Sequence, residues 1–261
     1  MLAFPNGNSY KLVYIDTNVI NEIAKNTFFT GKNFLEQFAL GGFAFATSAF
    51  NLYEISKTQG NSRSAILRFF DIFPLMICET YPRLIEIEKH ANEFQKSMIM
   101  FAIGTPPLFN VQLNMILSWI DTDTKFKVAI EKMTSNFVNE LNIWQQNQRQ
   151  FNWMQNFDKN LLSSMNETFK AASNYFPITD IGKHKSLETY ALIKNQFIYS
   201  TQQKLDTNSI IDAYNASFLP YADVYVTERT VGSWLETVGK KKLPYLKNKT
   251  VIKLSDLHNK K

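Results

Sequence analysis

Apolar and polar positions follow three different rhythms along this chain. Over residues 10–57, short apolar runs stop at turn and cap residues. Val13-Tyr14-Ile15 reads as a buried strand and Gly42-Phe43-Ala44-Phe45-Ala46 as a second. The expected order in this zone is strand, helix, helix, strand, helix. Gly41-Gly42 ends the second helix. Ser48 caps the third, which runs to Lys57, because its hydroxyl can accept from a free amide of the first turn. Over residues 60–201 the apolar spacing changes to three and four, without convincing strands. Ile66, Phe69, Phe70 and Phe73 form one stripe, and Leu84, Ile87 and His90 another. Gly104-Thr105-Pro106-Pro107 splits this zone into two sets of helices. From Lys204 onward the pattern predicts a helix over 208–218, a strand over 222–226, a helix over 230–238 and a strand over 250–254.

The two outer zones together predict an α/β fold: a three-layer α/β/α sandwich with a mostly parallel central sheet. Residues 1–60 and 204–261 build this discontinuous core, and 61–203 form an inserted all-helical region. The ends must then meet. The strand that stops at Asp16 and the strand before Glu228 are expected to be neighbours in one sheet. No internal repeat or low-complexity tract is present.

Composition narrows the class without changing this outline. The 261 residues suffice for one large domain or for a domain with a sizeable insertion. A hydrophobic fraction of 45% with 14% aromatics belongs to a folded globular chain. No stretch approaches the roughly 20 apolar residues of a spanning helix, so no membrane partner is expected. Met1-Leu2-Ala3-Phe4-Pro5-Asn6-Gly7-Asn8 lacks the basic and apolar regions of a signal peptide. The single cysteine, Cys78, cannot form an internal disulfide, and its apolar run Leu75-Met76-Ile77-Cys78 reads as a buried thiol. A cytoplasmic location is the expectation. The net charge of +5 is unevenly placed: Lys240, Lys241, Lys242, Lys247, Lys249, Lys253, Lys260 and Lys261 crowd the last segment with Asp256 the only acid among them. Such clusters attract phosphate backbones by counterion release, but by charge alone this one reads as a solubilising end.

Candidate chemistry lies in four acids. Asp16 ends the first strand. Glu54 lies on the helix capped by Ser48. Asp212 sits in the helix leading to the third strand, and Glu228 follows that strand's Val224-Tyr225-Val226-Thr227. Taken singly each has an ordinary reading: Asp16 as a helix cap, Glu54 as a solvated helix residue, Asp212 as a helical acid, Glu228 as a partner of Arg229. Taken jointly they fall on elements whose ends could face one side of the sheet. Carboxylates sharing a crevice repel one another, and a divalent cation removes that cost. Hard oxygen ligands suit Mg²⁺ or Mn²⁺. His90, His184 and His258 are scattered, and no Cys/His cluster could hold zinc. The aromatic and amide-rich stretch over 144–157, with Arg149, could stack on unpaired bases, but a core-packing helix has the same composition and is the preferred reading.

Val13-Tyr14-Ile15-Asp16-Thr17-Asn18-Val19-Ile20 resembles the opening strand of PIN-domain nucleases. Thr47-Ser48-Ala49-Phe50-Asn51-Leu52-Tyr53-Glu54-Ile55 is similar to the stretch carrying that family's second acid. Ile210-Ile211-Asp212-Ala213-Tyr214, with Leu219-Pro220-Tyr221-Ala222-Asp223-Val224-Tyr225-Val226-Thr227-Glu228-Arg229, resembles its third motif and the strand before the fourth. The resemblance covers the outer zones only. It implies a metal-dependent ribonuclease with Asp16, Glu54 and Asp212 as ligands of Mg²⁺ or Mn²⁺, and Thr17, Asn18 and Thr227 as their supports. Where the family usually has an aspartate, this chain has Glu228; Asp223, Asp206 and Glu22 stand in reserve.

The implied reaction is hydrolysis of a phosphodiester in single-stranded RNA, as a toxin held by an antitoxin or as an RNA-processing enzyme. A PIN-like module that binds RNA or a protein, a second copy of itself included, without cutting is the rival. A phosphatase with Asp16 as nucleophile ranks lower, because Glu54 would then have no role.

Overall fold

The computed structural model describes residues 2–3, 9–25, 42–70, 75–78, 81–90, 99–103, 109–147, 151–170, 176–200 and 204–258. The expected second helix with Gly41, the stripe residue Phe73, the break at Gly104-Thr105-Pro106-Pro107 and Arg149 lie outside these residues.

The chain is α/β. Five strands run parallel in the order β4 (Leu75–Cys78), β3 (Phe43–Thr47), β2 (Ser9–Ile15), β6 (Val224–Thr227) and β7 (Thr250–Lys253). Two antiparallel strands extend the sheet: β5 (Ile99–Ile103) beyond β4, and β1 (Leu2–Ala3) on the first residues of β2. The expected meeting of chain ends is a direct strand pair, with Val13 opposite Val224 and Ile15 opposite Val226.

Alternation along the strands distributes side chains to two faces. Leu12, Tyr14, Ala44, Ala46, Met76, Cys78 and Tyr225 point into one core, whose helices include α7 (Phe157–Phe169), α8 (Lys185–Ser200) and α9 (Thr207–Ala216). Val13, Ile15, Phe45, Ile77 and Val226 point into the other. There they meet α1 (Thr17–Lys25), α2 (Ala49–Ser56), α3 (Gly60–Phe70) and α5 (Phe109–Thr122). Strands buried on both faces must be apolar throughout, and Leu12 to Ile15 are all buried.

The middle zone is not all-helical, which corrects the expectation. It supplies β4 and β5. A four-residue apolar run buried on both faces has no period of its own, so it cannot be told from a piece of buried helix. Cys78 belongs to β4 and is a buried thiol outside any disulfide, as its surroundings suggest. The long helices of this zone, α6 (Thr124–Asn147) and α8 among them, pack beside α9.

Two remaining elements decide where charge goes. After β6, α10 (Arg229–Trp234) continues through a wider π turn, Leu235–Gly239, into Lys240–Lys242. This rod spans about 20 Å at 1.5 Å per residue. It carries the chain from the C-terminal edge of the sheet back to the edge where β7 begins. Gly232 permits its close approach to β7, since a Cβ there would stand 2.6 Å from Lys253 Cγ.

Candidate active site

Parallel strands align their C-terminal ends on one edge, and the order of this sheet reverses at β2. From β2 the chain moves outward through β3 and β4, then returns to the other flank as β6 and β7. Crevices of open α/β sheets form at such reversal points, because the connections on either side diverge to opposite faces. Asp16 stands there directly after β2, and Glu228 directly after the adjoining β6.

Asp16 is only 2% exposed. Its backbone is tied on both sides: its N–H donates to Val226 O at 3.0 Å, and its carbonyl accepts from Ile20 N at 3.0 Å. The carboxylate is held more loosely. Oδ1 accepts from Asn18 N at 3.4 Å and Oδ2 from Thr227 Oγ1 at 3.2 Å. Asp16 thus does cap α1, as the ordinary reading of it holds, but by a long bond from a group with capacity to spare.

Glu54 and Asp212 arrive from opposite faces of the sheet. Ser48 caps α2 as expected, its Oγ accepting from Asn51 N at 3.1 Å, and Glu54 lies one turn further along. Thr17, one residue from Asp16, lies close enough to Glu54 to lower its pKa, while its hydroxyl proton goes to Asn51 Oδ1 at 2.8 Å. Asp212 is 5% exposed on α9.

Each of these three acids has its pKa pushed up, and burial is the leading cause every time. For Asp16 burial is reinforced by the charges of Glu54 and Glu228, to about 7. Asp212 goes well above the usual carboxylate range through burial, then Asp16, then Glu228. Glu54 rises through burial against the lowering pull of Thr17 and Lys57. Glu228 thus acts on both Asp16 and Asp212.

The four predicted acids therefore belong to one electrostatic unit. They do not form a ready-made cage: among the described residues, no group of three or more His, Cys, Asp or Glu is disposed to hold a metal ion. The donor set nevertheless fits a hard divalent cation. It is all carboxylate oxygen, largely buried, and supplied with few hydrogen-bond donors.

Comparison with known proteins adds no name. No family model, curated protein or solved structure matches this chain.

The reserve acids are not part of the unit as bonded. Asp223 lies at the start of β6, on the opposite edge, where Oδ2 accepts from Leu12 N at 2.8 Å. Asp206 caps α9 in a reciprocal box with Ser209. Glu22 is half-buried on α1. Most of the lysine cluster is displaced too: Lys240, Lys241, Lys242, Lys247 and Lys249 gather where β7 begins, one rod length from Glu228, while Lys253 ends β7 opposite Thr227 and pairs with Glu236 at 3.0 Å. The cations beside the acids are others, Lys57 next to Glu54 and Arg229 after Glu228. The aromatic stretch over 144–157 divides. Trp153 and Phe157 are core residues, while Trp144 and Phe151 are exposed and border clefts of about 470 and 240 Å³ among α6, α7 and α8. None of the four acids lines those clefts.

Sequence reasoning missed a set of neutral residues beneath the acids. Asn51 Oδ1 accepts from Thr17 Oγ1 and from Asn215 Nδ2, both at 2.8 Å, and Asn51 Nδ2 donates to Ile15 O at 2.8 Å. Asn215 Oδ1 accepts from Tyr14 Oη at 2.8 Å and from Ser48 Oγ at 2.9 Å. The available signal was polar type at helical spacing: Asn51 precedes Glu54 by three, and Asn215 follows Asp212 by three.

Proposed function

We propose that this chain is a divalent-metal-dependent endoribonuclease of PIN-like fold, hydrolysing phosphodiester bonds in single-stranded RNA. The observation that carries the reading is the gathering of buried, sparsely hydrogen-bonded carboxylates from three sequence-distant elements at the reversal point of the sheet. A protein does not retain like charges in a buried crevice without some compensating group, and a cation is the simplest one.

Asp16, Glu54 and Asp212 would hold Mg²⁺ or Mn²⁺. When bound, the ion supplies a nucleophilic water at neutral pH and counters the charge that grows on the phosphoryl oxygens. The chain's own residues do the rest. Thr227 and the Asn18 amide orient the Asp16 carboxylate, and Thr17 bridges toward Glu54. Glu228 serves where an aspartate would be expected, its extra methylene lengthening its reach from the end of β6. Lys57 and Arg229 flank the acids and attract the phosphates on either side of the scissile bond. Cleavage leaves 5′-phosphate and 3′-hydroxyl ends, as the family resemblance implies.

The test is incubation of wild type and Asp16→Asn with labelled single-stranded RNA, with and without Mn²⁺. Mn²⁺-dependent cutting by wild type, reduced at least a thousandfold in Asp16→Asn, is expected. Equal cutting by both proteins would sink the assignment.

One observation favours a second reading, a PIN-like module that binds RNA or protein without cutting: the carboxylates do not converge into a cage as they stand. RNA retained but uncut, with no Mn²⁺ bound, would select it.

A further inference from the structure

The buried network beneath the acids joins the three elements that carry them, and it does so at matched positions. Ile15 and Thr17, the residues on either side of Asp16, both bond Asn51: the Ile15 carbonyl accepts from its Nδ2 and the Thr17 hydroxyl donates to its Oδ1. On α2, Asn51 lies three residues before Glu54, so the two share a helix face. On α9, Asn215 lies three residues after Asp212 and shares its face likewise. Asn215 Nδ2 then closes the circuit onto Asn51 Oδ1 at 2.8 Å. Tyr14 and Ser48 meet on Asn215 Oδ1 from β2 and from the cap of α2.

Asn51, Asn215 and Ser48 are essentially excluded from solvent, and Tyr14 is too. Their amide and hydroxyl groups have no water to fall back on, so the bonds hold each element at one rotation and one height relative to the others. A helix free to turn by one residue would swing its carboxylate by about 100°. Apolar packing alone tolerates small slides of that kind better than a directional bond does.

We infer that Asn51 and Asn215 are positioning residues, which set the relative placement of Asp16, Glu54 and Asp212 without touching substrate or metal. The inference rests on the reading of those acids as a metal site. Neither asparagine is charged, so the network does this without adding to the repulsion in the crevice.

The experiment is Mn²⁺ titration by electron paramagnetic resonance of wild type, Asn51→Ala, Asn215→Ala and Tyr14→Phe, with melting curves and cleavage kinetics on each. Glu88→Gln, a buried change outside the network, is the control for lost stability. The expected result is a ten- to hundredfold weaker Mn²⁺ affinity in both asparagine variants. Their kcat falls similarly while KM for RNA stays within about twofold, and Glu88→Gln binds Mn²⁺ like wild type at a comparable loss of melting temperature. Tyr14→Phe removes the bond to Asn215 Oδ1 and the longer one from Asn51 Nδ2, and should weaken Mn²⁺ about threefold, which keeps the test open if an alanine variant does not fold. Folded variants that bind Mn²⁺ as tightly as wild type overturn the inference and leave the nuclease standing. If wild type neither binds Mn²⁺ nor cuts, the nuclease reading fails instead. Crystal structures of the variants then decide: unmoved Asp16, Glu54 and Asp212 carboxylates overturn the inference, and displaced ones uphold it.

Discussion

Two groups of buried carboxylates among the described residues solve the same problem in opposite ways. Glu88, on α4 (Tyr81–His90), is 3% exposed and surrounded by donors. Its oxygens accept from Ser186 N and Ser186 Oγ at 2.7 Å each and from the Tyr221 hydroxyl, so it caps α8 from a distant part of the chain. Asp16, Glu54, Asp212 and Glu228 face one another instead, with long or sparse bonds to neutral donors. Burial leads the rise in both places, and Glu88 and Asp16 reach about the same value, near 7. A perturbed pKa is thus no mark of function by itself. What separates the two sites is how each carboxylate is answered: at Glu88 donors satisfy it despite the nearby Glu188, whereas at the sheet edge the carboxylates have few donors and one another. The first is a structural pin, and the second is the one for which we propose an added cation.

The largest effect that sharpens this contrast is expected from Glu88→Ala. It strands the amide and hydroxyl of Ser186 and the hydroxyl of Tyr221, and should cost about 3 kcal/mol in denaturant unfolding. A loss near zero would mean the donors find other partners and the site is no pin.

Next, group for group, comes pH. Asp16 and Glu88 have folded pKa values near 7, above the unfolded value of about 4. The folded protein therefore binds more protons than the unfolded chain between those values. Stability is fully present below about pH 4 and is lost as pH rises through 7. Without metal, urea midpoints should fall between pH 5 and 8, with each of the two carboxyls contributing about 2–3 kcal/mol. Saturating Mg²⁺ should flatten the part due to Asp16 and leave the part due to Glu88. A slope unaffected by Mg²⁺ would assign all of it to Glu88 and its like.

Smaller, and opposite in sign to Glu88→Ala, is the change expected from Asp212→Asn. Removing one of the mutually repelling acids should raise metal-free stability at pH 8 by about 1 kcal/mol while abolishing cleavage. Destabilisation instead would show that Asp212 is already satisfied without a cation. The smallest effect is assigned to Lys240→Ala/Lys241→Ala/Lys242→Ala. This patch lies at the far edge of the sheet, and its loss should change the cleavage rate of a short RNA less than about twofold at 0.15 M salt. A tenfold loss would extend the RNA path around the molecule.

Much of this arrangement is legible in the chain itself. Val13-Tyr14-Ile15 and Val224-Tyr225-Val226 are apolar on consecutive residues, as strands covered on both faces must be, and Ser48 announces a helix start that the structure has. The acids at strand ends follow from the same pattern. Leu75–Cys78 did not reveal itself, because four apolar residues carry no period. The lysines of 240–249 lie close in sequence to Glu228, but α10 and its continuation carry them to the other edge.

Sequence by itself determined the local matters: which segments are strands with buried faces, where α2 and α9 start, and which acids stand at element ends. Those depend on side-chain type and spacing within a few residues. Only the tertiary structure decided the register at which the expected neighbours from the first and last zones pair, that Glu228 rather than Asp223 or Asp206 joins the acids, and that Asn51 meets Asn215 across 164 positions of chain. Such pairings depend on the register and rotation at which separate elements pack. No local preference encodes them, and burial turns ordinary carboxylates and amides into a site.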